Sequence, residues 1–402
     1  MNESKKKSNR NPHFQSRYGN AFPRNVKRPS QPPVQGKEEL PVIAITIGDP
    51  NGIGPELILK AFSHPILFQQ CIPVIVAHRE VVNYYARILK LTLPTHIWRD
   101  GQQPKRDKLN FYPPKSIATP LKPTDNKKTK PAVALNPGVP TPESGDYAFR
   151  SVQQAINLIR AEKADALVTA PISKEAIHAA GHAYPGHTEL LAEAFGKSAD
   201  EVLMTFVAED LRVAMVTTHI PLIDVPKVLS PRRLEQKLLQ FIASLGQDFG
   251  IDRPRIAVCG LNPHAGENGL IGREEKEWIA PLIEKMQQQG YDVLGPYPAD
   301  GLWGSGLWAK FDGIMALYHD QGLIPFKFMA GGRGVNFTAG LPVIRTSPTH
   351  GTAFGIAGQG QGDPSSFLHA IWMALDLWHR RSKKNRGDSI DTSSVESMEK
   401  TV

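Results

Sequence analysis

The stretch PVIAITIGDPNGIGPELILKAF, residues 41–62, decides the fold class of this 402-residue chain. Its β-branched first part predicts a buried strand, and the Gly, Asn and Pro residues that follow predict a turn. Pro55 then stands near the first position of a predicted helix, where proline is favoured. A strand, a loop and a helix in this order form the repeating unit of α/β proteins.

The same alternation continues downstream. Apolar segments predict further strands at residues 73–77, 166–170, 213–217, 255–260 and 313–317, and helix-like segments separate the later ones. Repeated strands and helices imply a mostly parallel sheet with helices on both faces, so we predict an α/β fold. Residues 100–131 are rich in Pro and Lys and are expected to form an exposed loop or short edge strands.

The net positive charge of the chain comes from residues 1–37. Residues 1–37 contain nine Lys or Arg and one acid, Glu3, so they account for the whole net charge of +8. The remainder is neutral, which restricts any electrostatic attraction of polyanions to this segment. We predict that residues 1–38 form a disordered basic extension and residues 383–402 a frayed tail. A solvated tail explains the charge without a nucleic-acid partner.

Other sequence features exclude several classes of protein. No apolar run approaches the roughly 18–20 residues of a membrane-spanning helix, and the start MNESKKKSNRN lacks the apolar centre of a secretory signal. We therefore expect a cytoplasmic protein that binds neither membrane nor nucleic acid. Cys71 and Cys259 form no CxxC pair, so a metal would be held by His or carboxylate groups.

Three histidines share one context in the sequence. His219, His264 and His319 each lie within a few residues of the end of a predicted strand, and parallel strands end at one edge of a sheet. Three neutral imidazoles leave open positions on a divalent ion, as catalytic metal sites require. The alternative is three unrelated loop histidines. Asp320 and Asp300 could orient an imidazole, act as acid–base groups or cap turns.

Two segments carry signals for anion binding. GHTE, residues 186–189, opens a predicted helix whose free N–H groups favour an anion, unless Thr188 merely caps the helix. Residues 326–366 combine many glycines with Lys327, Asn336 and Arg345, a composition that suits phosphate binding. Neither a GxGxxG motif after the first strand nor a P-loop GK[ST] is present.

Six motifs resemble a known enzyme family. ITIGDPNGIGPE, GHTE, TTHIPL, NPHAGENGLIGREE, YHDQGLIPFK and GVNFTAGLPVIRTSPTHGTAF resemble the 4-hydroxythreonine-4-phosphate dehydrogenases of pyridoxal phosphate biosynthesis, from about residue 41 to about residue 377. The resemblance implies a two-subdomain α/β/α subunit of the isocitrate and isopropylmalate dehydrogenase type. Residues 39–183 and 325–382 would form the nucleotide side, and residues 184–324 the metal and dimer side. It also implies a homodimer with a shared active site.

The resemblance assigns expected roles to single residues. The metal ligands would be His219, His264 and His319, holding one divalent ion, Zn, Co or Mg, per site. The substrate-binding residues would be His187, Thr188, Lys327, Asn336 and Arg345. The candidate catalytic residues are Lys327, Asp320 and Asp300, and the general base is left open between Lys327 and Asp320. HGTAFGIAGQG, residues 350–360, resembles a nucleotide loop for NAD, or NADP, with His350, Gly351, Thr352, Ala353 and Gly358 as cofactor-binding residues.

The implied reaction is oxidation of 4-phosphooxy-L-threonine by NAD to 2-amino-3-oxo-4-phosphooxybutanoate, which decarboxylates to 3-amino-2-oxopropyl phosphate. A sibling dehydrogenase of 4-phosphoerythronate or 4-phosphothreonate would use nearly the same metal and phosphate residues. A phosphate acyltransferase on a related fold is a more distant alternative, because it needs neither NAD nor the three histidines. A non-catalytic protein that binds through its basic extension is the third.

Overall fold

The strand, loop and helix predicted for residues 41–62 are present in the computed structural model of the chain. Strand β1 spans Val42–Thr46 and helix α1 spans Gly54–Phe62. Pro55 lies in the first turn of α1, where a missing N–H costs no hydrogen bond. The structure describes residues 40–114, 134–183 and 186–395, with side chains up to residue 382.

The described strands form one 12-stranded sheet. They are β1, β2 (Ile72–Val76), β3 (Thr95–Ile97), β4 (Leu109–Phe111), β5 (Ala166–Thr169), β6 (Leu203–Ala208), β7 (Leu211–Met215), β8 (Ile256–Cys259), β9 (Val293–Tyr297), β10 (Gly313–Ala316), β11 (Val335–Ala339) and β12 (Ile344–Pro348). Their order in space is β3-β4-β2-β1-β5-β12-β11-β6-β7-β10-β8-β9.

Most neighbouring strands pair in parallel, which confirms the predicted α/β class. Antiparallel pairing occurs where β6 meets β7 and β11, and where β11 meets β12. β6 and β7 are joined by residues 209–210 alone, and so short a connection requires an antiparallel pair. The sequence pattern did not predict β3, β6, β9, β11 or β12. In β11 (VNFTA) and β12 (IRTSP), polar residues interrupt the apolar pattern.

The described helices are α1, α2 (Ile66–Gln70), α3 (Arg79–Leu89), α4 (Pro142–Arg160), α5 (Lys174–Ala179), α6 (His187–Ala194), α7 (Val225–Val228), α8 (Pro231–Phe249), α9 (Ala280–Gln288), α10 (Ala299–Gly304), α11 (His319–Ala330) and α12 (Ser365–Val395). Short helical turns span Ala199–Glu201, Leu222–Asp224, Pro263–Gly269, Glu275–Ile279, Leu307–Lys310 and Phe354–Ile356. None of the described helices is long and apolar enough to cross a membrane.

Helices cover both faces of the sheet at β1. Ile43 packs in one core with Leu57 of α1 and Phe367 of α12, whereas Ala44 packs in a second core with Val152 of α4. Successive strand residues point to opposite faces, so each face of β1 has its own helical layer. This arrangement explains why the first four residues of β1, Val42 to Ile45, are all apolar instead of alternating with polar residues.

The predicted subdomains contribute contiguous parts of the sheet. Residues 39–183 and 325–382 contain β1–β5, β11 and β12, and residues 184–324 contain β6–β10. Because one sheet runs through both parts, the division into two subdomains stays a prediction.

The structure differs from the prediction in part of the tail 383–402, and it describes only part of the predicted loop 100–131. α12 continues to Val395, so its backbone is helical in the first part of the predicted frayed tail, 383–402, where no proline interrupts the helix. β4 lies within the predicted loop 100–131, beside the edge strand β3. The rest of that loop from residue 115 and the basic extension 1–38 lie outside the described residues.

Candidate active site

The antiparallel centre of the sheet forms the floor of a cavity of about 330 Å³. Asn336 of β11 lies opposite Phe206 of β6 on one side and Ser347 of β12 on the other, and all three residues line the cavity. Directly opposed residues on neighbouring strands point to the same face of a sheet. The strand pairing that the sequence analysis missed therefore builds the base of the site.

The walls come from the segments that follow β5, β7, β10 and β12 and from the start of α6. The lining residues are Thr169, Ala170, Pro171, Ile172, Lys174, Gly186, His187, Thr188, Glu189, Met204, Phe206, His219, His319, Leu323, Lys327, Asn336, Arg345, Ser347, Pro348, Thr349, His350 and Gly351. Every predicted substrate-binding residue is among them.

The structure brings two of the three predicted metal ligands together. β10 pairs in parallel with both β7 and β8, so the strands that precede His319, His219 and His264 are neighbours, as predicted. The rings of His219 and His319 have centroids 5.8 Å apart, and both line the cavity. His264 is exposed and does not line it. Within the described residues, no three His, Cys, Asp or Glu side chains are placed to hold one metal ion.

The backbone of the Pro263–Gly269 turn accounts for the separate position of His264. From His264 to Asn268 every φ is positive, between 41° and 78°. The turn is anchored by Glu275, whose carboxylate accepts hydrogen bonds from the backbone N–H and the side-chain Nδ2 of Asn262, at 2.6 and 2.9 Å. The alternation of strands and helices in the sequence predicted that these strands end at one edge of the sheet. It could not predict the left-handed turn that sets the position of His264.

His219 and His319 fit a divalent metal ion in chemistry. His319 Nδ1 lies 2.6 Å from Asp320 Oδ1, an arrangement that fixes the ring and leaves Nε2 for a ligand. The pKa of His219 is lowered by removal of water and by the charge of Lys174, which favours the neutral form that binds metals. One chain thus offers two suitable imidazoles, and the predicted set of three is not assembled within it.

Arg345 places a buried positive charge beside the cavity. Its side chain donates hydrogen bonds to Thr169 Oγ1, from Nε at 3.2 Å and Nη2 at 2.8 Å, and to Thr338 Oγ1 from Nη1 at 3.1 Å. The residue is only 2% exposed, and burial lowers its pKa to about 10. Because these partners are hydroxyl groups and not carboxylates, the charge remains available to an anion in the cavity.

Three lining residues carry buried polar atoms that lack a hydrogen-bond partner in the described part of the chain: Asn336 Oδ1, His187 Nε2 and His350 Nε2. The pKa of His187 lies well below its usual range because of burial and the nearby charges of Arg345 and Lys174, so its ring is neutral. Buried polar atoms are normally paired. These atoms therefore favour a polar ligand in the cavity.

The start of α6 differs from the interpretation of Thr188 as a helix cap. Gly186 is the N-cap of this helix, so the capping role considered for Thr188 is wrong. Thr188 lies instead in the first turn, beside His187, where the backbone N–H groups have no partner within the helix. Lys327 reaches the same cavity from α11, about two turns after His319.

Asp300 and Asp320, two of the predicted catalytic residues, do not line the cavity. Asp320 contacts His319, so orienting that imidazole is the role its position supports. Asp300 is exposed in the first turn of α10, where a carboxylate stabilises the helix N-terminus.

The predicted cofactor-binding residues are divided along the loop between β12 and α12. His350 and Gly351 line the cavity, whereas Thr352, Ala353 and Gly358 do not. The carbonyl of Thr352 accepts a hydrogen bond from Ile53 N–H at 3.0 Å. The N–H of Gly358 donates to Glu56 Oε1 at 2.6 Å. Ala353 and Gly358 both have positive φ, 45° and 76°.

Lys174 and Glu189 line the cavity but were not predicted as site residues. Lys174 begins α5 directly after Ser173, whose hydroxyl accepts the N–H of Ala176 as a helix cap. The signal for Lys174 was present in the sequence, because it stands shortly after the strand predicted at residues 166–170. Glu189 is the last residue of the quoted GHTE motif and the one acid among the described lining residues.

Comparisons with known proteins agree on one family. The family model for the pyridoxal phosphate biosynthetic protein PdxA matches residues 69–374. A 4-hydroxythreonine-4-phosphate dehydrogenase from Bacteroides thetaiotaomicron is 42% identical over 342 residues, which cover 85% of this chain and 90% of that protein. A D-threonate 4-phosphate dehydrogenase from Cupriavidus necator is 43% identical over 344 residues, 85% of this chain and 99% of the relative. A crystal structure of 4-hydroxythreonine-4-phosphate dehydrogenase from Klebsiella pneumoniae superposes with a TM-score of 0.71 at 36% identity, covering 85% of this chain and 99% of that one.

Proposed function

Because the chain belongs to the PdxA family of pyridoxal phosphate biosynthetic proteins, we propose that it oxidises 4-phosphooxy-L-threonine with NAD. The product is 2-amino-3-oxo-4-phosphooxybutanoate, which loses carbon dioxide to give 3-amino-2-oxopropyl phosphate. Relatives named 4-hydroxythreonine-4-phosphate dehydrogenase at about 40% identity support this function. NADP is the second candidate for the cofactor.

The observation that carries the proposal is the buried guanidinium of Arg345. A cation that is 2% exposed and hydrogen-bonded to threonine hydroxyls is poorly solvated, so it gains from a multiply charged anion placed in the cavity. Lys174 lines the same cavity and adds positive charge. A phosphorylated amino acid supplies the phosphate and carboxylate groups that such a site attracts.

The other lining residues divide the remaining tasks. Asn336 and the neutral His187 offer unpaired polar atoms to the substrate. Lys327 is the base that takes the proton of the C3 hydroxyl, since it lines the cavity while Asp320 is engaged with His319. His350 and Gly351 would hold the nicotinamide cofactor, which would supply the hydride acceptor. A divalent ion, Zn, Co or Mg, bound by His219 and His319 would stabilise the developing alkoxide.

A second copy of the chain is proposed to complete the site. Six large apolar side chains are exposed on the segments that follow β7, β8 and β10, and they are 39–83% exposed: Leu222, Ile223, Leu270, Ile271, Ile324 and Phe328. Clustered apolar exposure of this kind marks an interface with another protein. His264 lies on one of these segments, outside the cavity of its own chain. In a homodimer it would serve as the third ligand across the interface.

The test is NAD reduction by the purified full-length chain, followed at 340 nm, with 4-phosphooxy-L-threonine and with added Zn, Co or Mg. Turnover is expected to require the phosphorylated substrate and to stop when a chelator removes the metal. A phosphate acyltransferase would produce no NADH under these conditions. Absence of NADH with every metal and with 4-phosphooxy-L-threonine, 4-phosphothreonate and 4-phosphoerythronate would contradict the proposal.

A second candidate function has a specific observation in its favour. The Cupriavidus necator relative, named a D-threonate 4-phosphate dehydrogenase, is as similar to this chain as the relative from Bacteroides thetaiotaomicron. The two substrates differ at C2, where one has an ammonium group and the other a hydroxyl. Parallel assays with 4-phosphothreonate and 4-phosphoerythronate distinguish them by kcat/KM.

A further inference from the structure

We propose that Glu56 and Lys60 of α1 are positioning residues that hold the cofactor loop, and so set the affinity for the nicotinamide cofactor. We name residues 349–364, which connect β12 to α12, the glycine loop. The inference rests on the proposed function, because the glycine loop is the predicted cofactor-binding segment. It assigns a role to the motif GDPNGIGPE, residues 48–56, which the metal and phosphate sites leave unused.

One face of α1 contacts the glycine loop through side-chain and backbone groups. The carboxylate of Glu56 accepts the N–H of Gly358 at 2.6 Å. The ammonium group of Lys60 donates to the carbonyls of Gly360 and Gly362 at 2.7 and 2.6 Å. Residues 56 and 60 lie one helical turn apart on the same face. The two side chains therefore bind successive parts of the loop.

The start of α1 contacts the loop nearer to the cavity. Ile53 N–H donates to the carbonyl of Thr352 at 3.0 Å. Gly52 lies so close that a Cβ atom there would stand 2.9 Å from the same carbonyl oxygen. This contact is next to Gly351 and His350, which line the cavity. Glycine at position 52 thus permits the close approach of the motif to the loop.

The glycine loop needs this external support because its own backbone is irregular. Ala353, Gly358 and Gly360 have φ of 45°, 76° and 69°, so the loop is not stabilised as a helix or strand over these residues. Glu56 is 0% exposed, and its Oε2 has no hydrogen-bond partner within the described residues. Burying a carboxylate in this way costs free energy. The hydrogen bond that Gly358 N–H donates to it offsets part of that cost.

These contacts place no side chain on the reacting atoms, so their expected effect is on cofactor binding. Lys60→Met removes both hydrogen bonds to the loop and should raise the KM for NAD about tenfold. The KM for the phosphorylated substrate should stay within about twofold, since neither Glu56 nor Lys60 lines the cavity. Lys60→Arg keeps a cationic donor and should restore most of the affinity.

The experiment combines steady-state kinetics with hydrogen–deuterium exchange of the cofactor-free chain. Glu56→Gln, Lys60→Met and Lys60→Arg are compared with wild type and with Lys285→Met. Lys285 is a matched control, because it is a helix lysine with an ion-pair partner, Glu235, at 2.8 Å and does not line the cavity. Glu56→Gln and Lys60→Met should accelerate exchange in residues 352–362 about tenfold, and the other two chains should match wild type.

Faster exchange in the loop together with a raised KM for NAD alone supports the proposal. Unchanged exchange of the loop in both Glu56→Gln and Lys60→Met overturns the proposal, because α1 would then not hold the loop. Faster exchange with unchanged affinity for NAD overturns the assigned role in cofactor binding. Should the wild-type chain reduce neither NAD nor NADP with any substrate, the proposed function fails, and unchanged or faster exchange still decides whether Glu56 and Lys60 hold the loop.

Discussion

Arg345 is the residue on which we expect substrate binding to depend most. Its charge is buried among Thr169, Thr338 and the neutral His187, and Glu189 acts on it only through its charge, since no carboxylate of the described residues is hydrogen-bonded to it. A dianionic phosphate in the cavity would compensate this charge more fully than water does. Burial lowers the pKa of His187, and the neighbouring charge of Arg345 lowers it further, so the ring stays neutral.

Replacing Arg345 by Met is expected to lower kcat/KM for the phosphorylated substrate about 100-fold, because a hydrogen-bonded charge is lost from the anion site. Inorganic phosphate should raise the melting temperature of wild type and leave that of the variant unchanged. Arg333→Met is the control, since Arg333 forms an exposed ion pair with Glu209 at 2.7 Å. An Arg345→Met chain that keeps its kcat/KM would contradict this role.

Glu189→Gln tests how the site distinguishes an ammonium group from a hydroxyl at C2. Glu189 is the one acid among the described lining residues, so it is the group that can attract a substrate ammonium. The variant should lose about tenfold in kcat/KM for 4-phosphooxy-L-threonine relative to 4-phosphothreonate. Glu193→Gln, exposed one turn later on α6, should leave the ratio unchanged. Equal losses for both substrates would assign Glu189 a different role.

The neutral state of His187 predicts part of the acid sensitivity of the fold. The pKa of His187 is lowered in the folded chain, so below about pH 6.5 the unfolded chain binds a proton that the folded chain does not. The contribution is complete above that pH and is lost as the pH falls, by up to about 1.4 kcal/mol per pH unit. Urea unfolding at pH 7.5 and 5.5 should show a smaller difference for His187→Gln than for wild type or for His64→Gln. An equal difference would show that His187 takes up protons in the folded chain as well.

At the scale of elements, α11 joins the active site to the proposed interface. It begins at His319, carries Lys327 into the cavity and exposes Ile324 and Phe328, which are 65% and 70% exposed and four residues apart on one face. A second chain that covers this face would therefore contact the same helix that presents the proposed metal ligand His319 and the proposed base Lys327.

The double substitution Ile324→Asp and Phe328→Asp should convert the dimer into a monomer in sedimentation experiments, because two charges would be buried in an apolar contact. Activity should be lost with the dimer, while the circular dichroism spectrum stays that of wild type. Leu239→Asp is the matched control, since Leu239 is 39% exposed on α8, on a different element. A variant that remains dimeric would place the interface elsewhere.

The elements also show what the sequence could predict. The β-branched runs predicted β1, β2, β5, β7, β8 and β10 to within a few residues, because each is apolar and bounded by turn residues. β11 and β12 were missed because they carry the cavity-lining residues Asn336 and Arg345, which break the apolar pattern. Strand order placed His219 beside His319, but the left-handed turn at His264 depends on contacts with Asn262 and Glu275 that no local pattern reveals.

At the scale of the whole molecule, two chains are proposed to form one site. Each chain supplies the cavity, two imidazoles that line it, and exposed apolar side chains on the segments that follow β7, β8 and β10. The third imidazole, His264, lies outside that cavity, on the segment that also carries the exposed Leu270 and Ile271. These facts are reconciled if His264 of one chain completes the metal site of another.

Subunit mixing tests this claim most directly. His264→Ala and His319→Ala chains are each expected to be inactive alone. If the ligands come from two chains, unfolding and refolding an equimolar mixture creates heterodimers with one intact site, and about a quarter of wild-type NADH production should return. If the three histidines of each site come from the same chain, no heterodimer contains an intact site. A refolded mixture that is dimeric but inactive would therefore contradict the account.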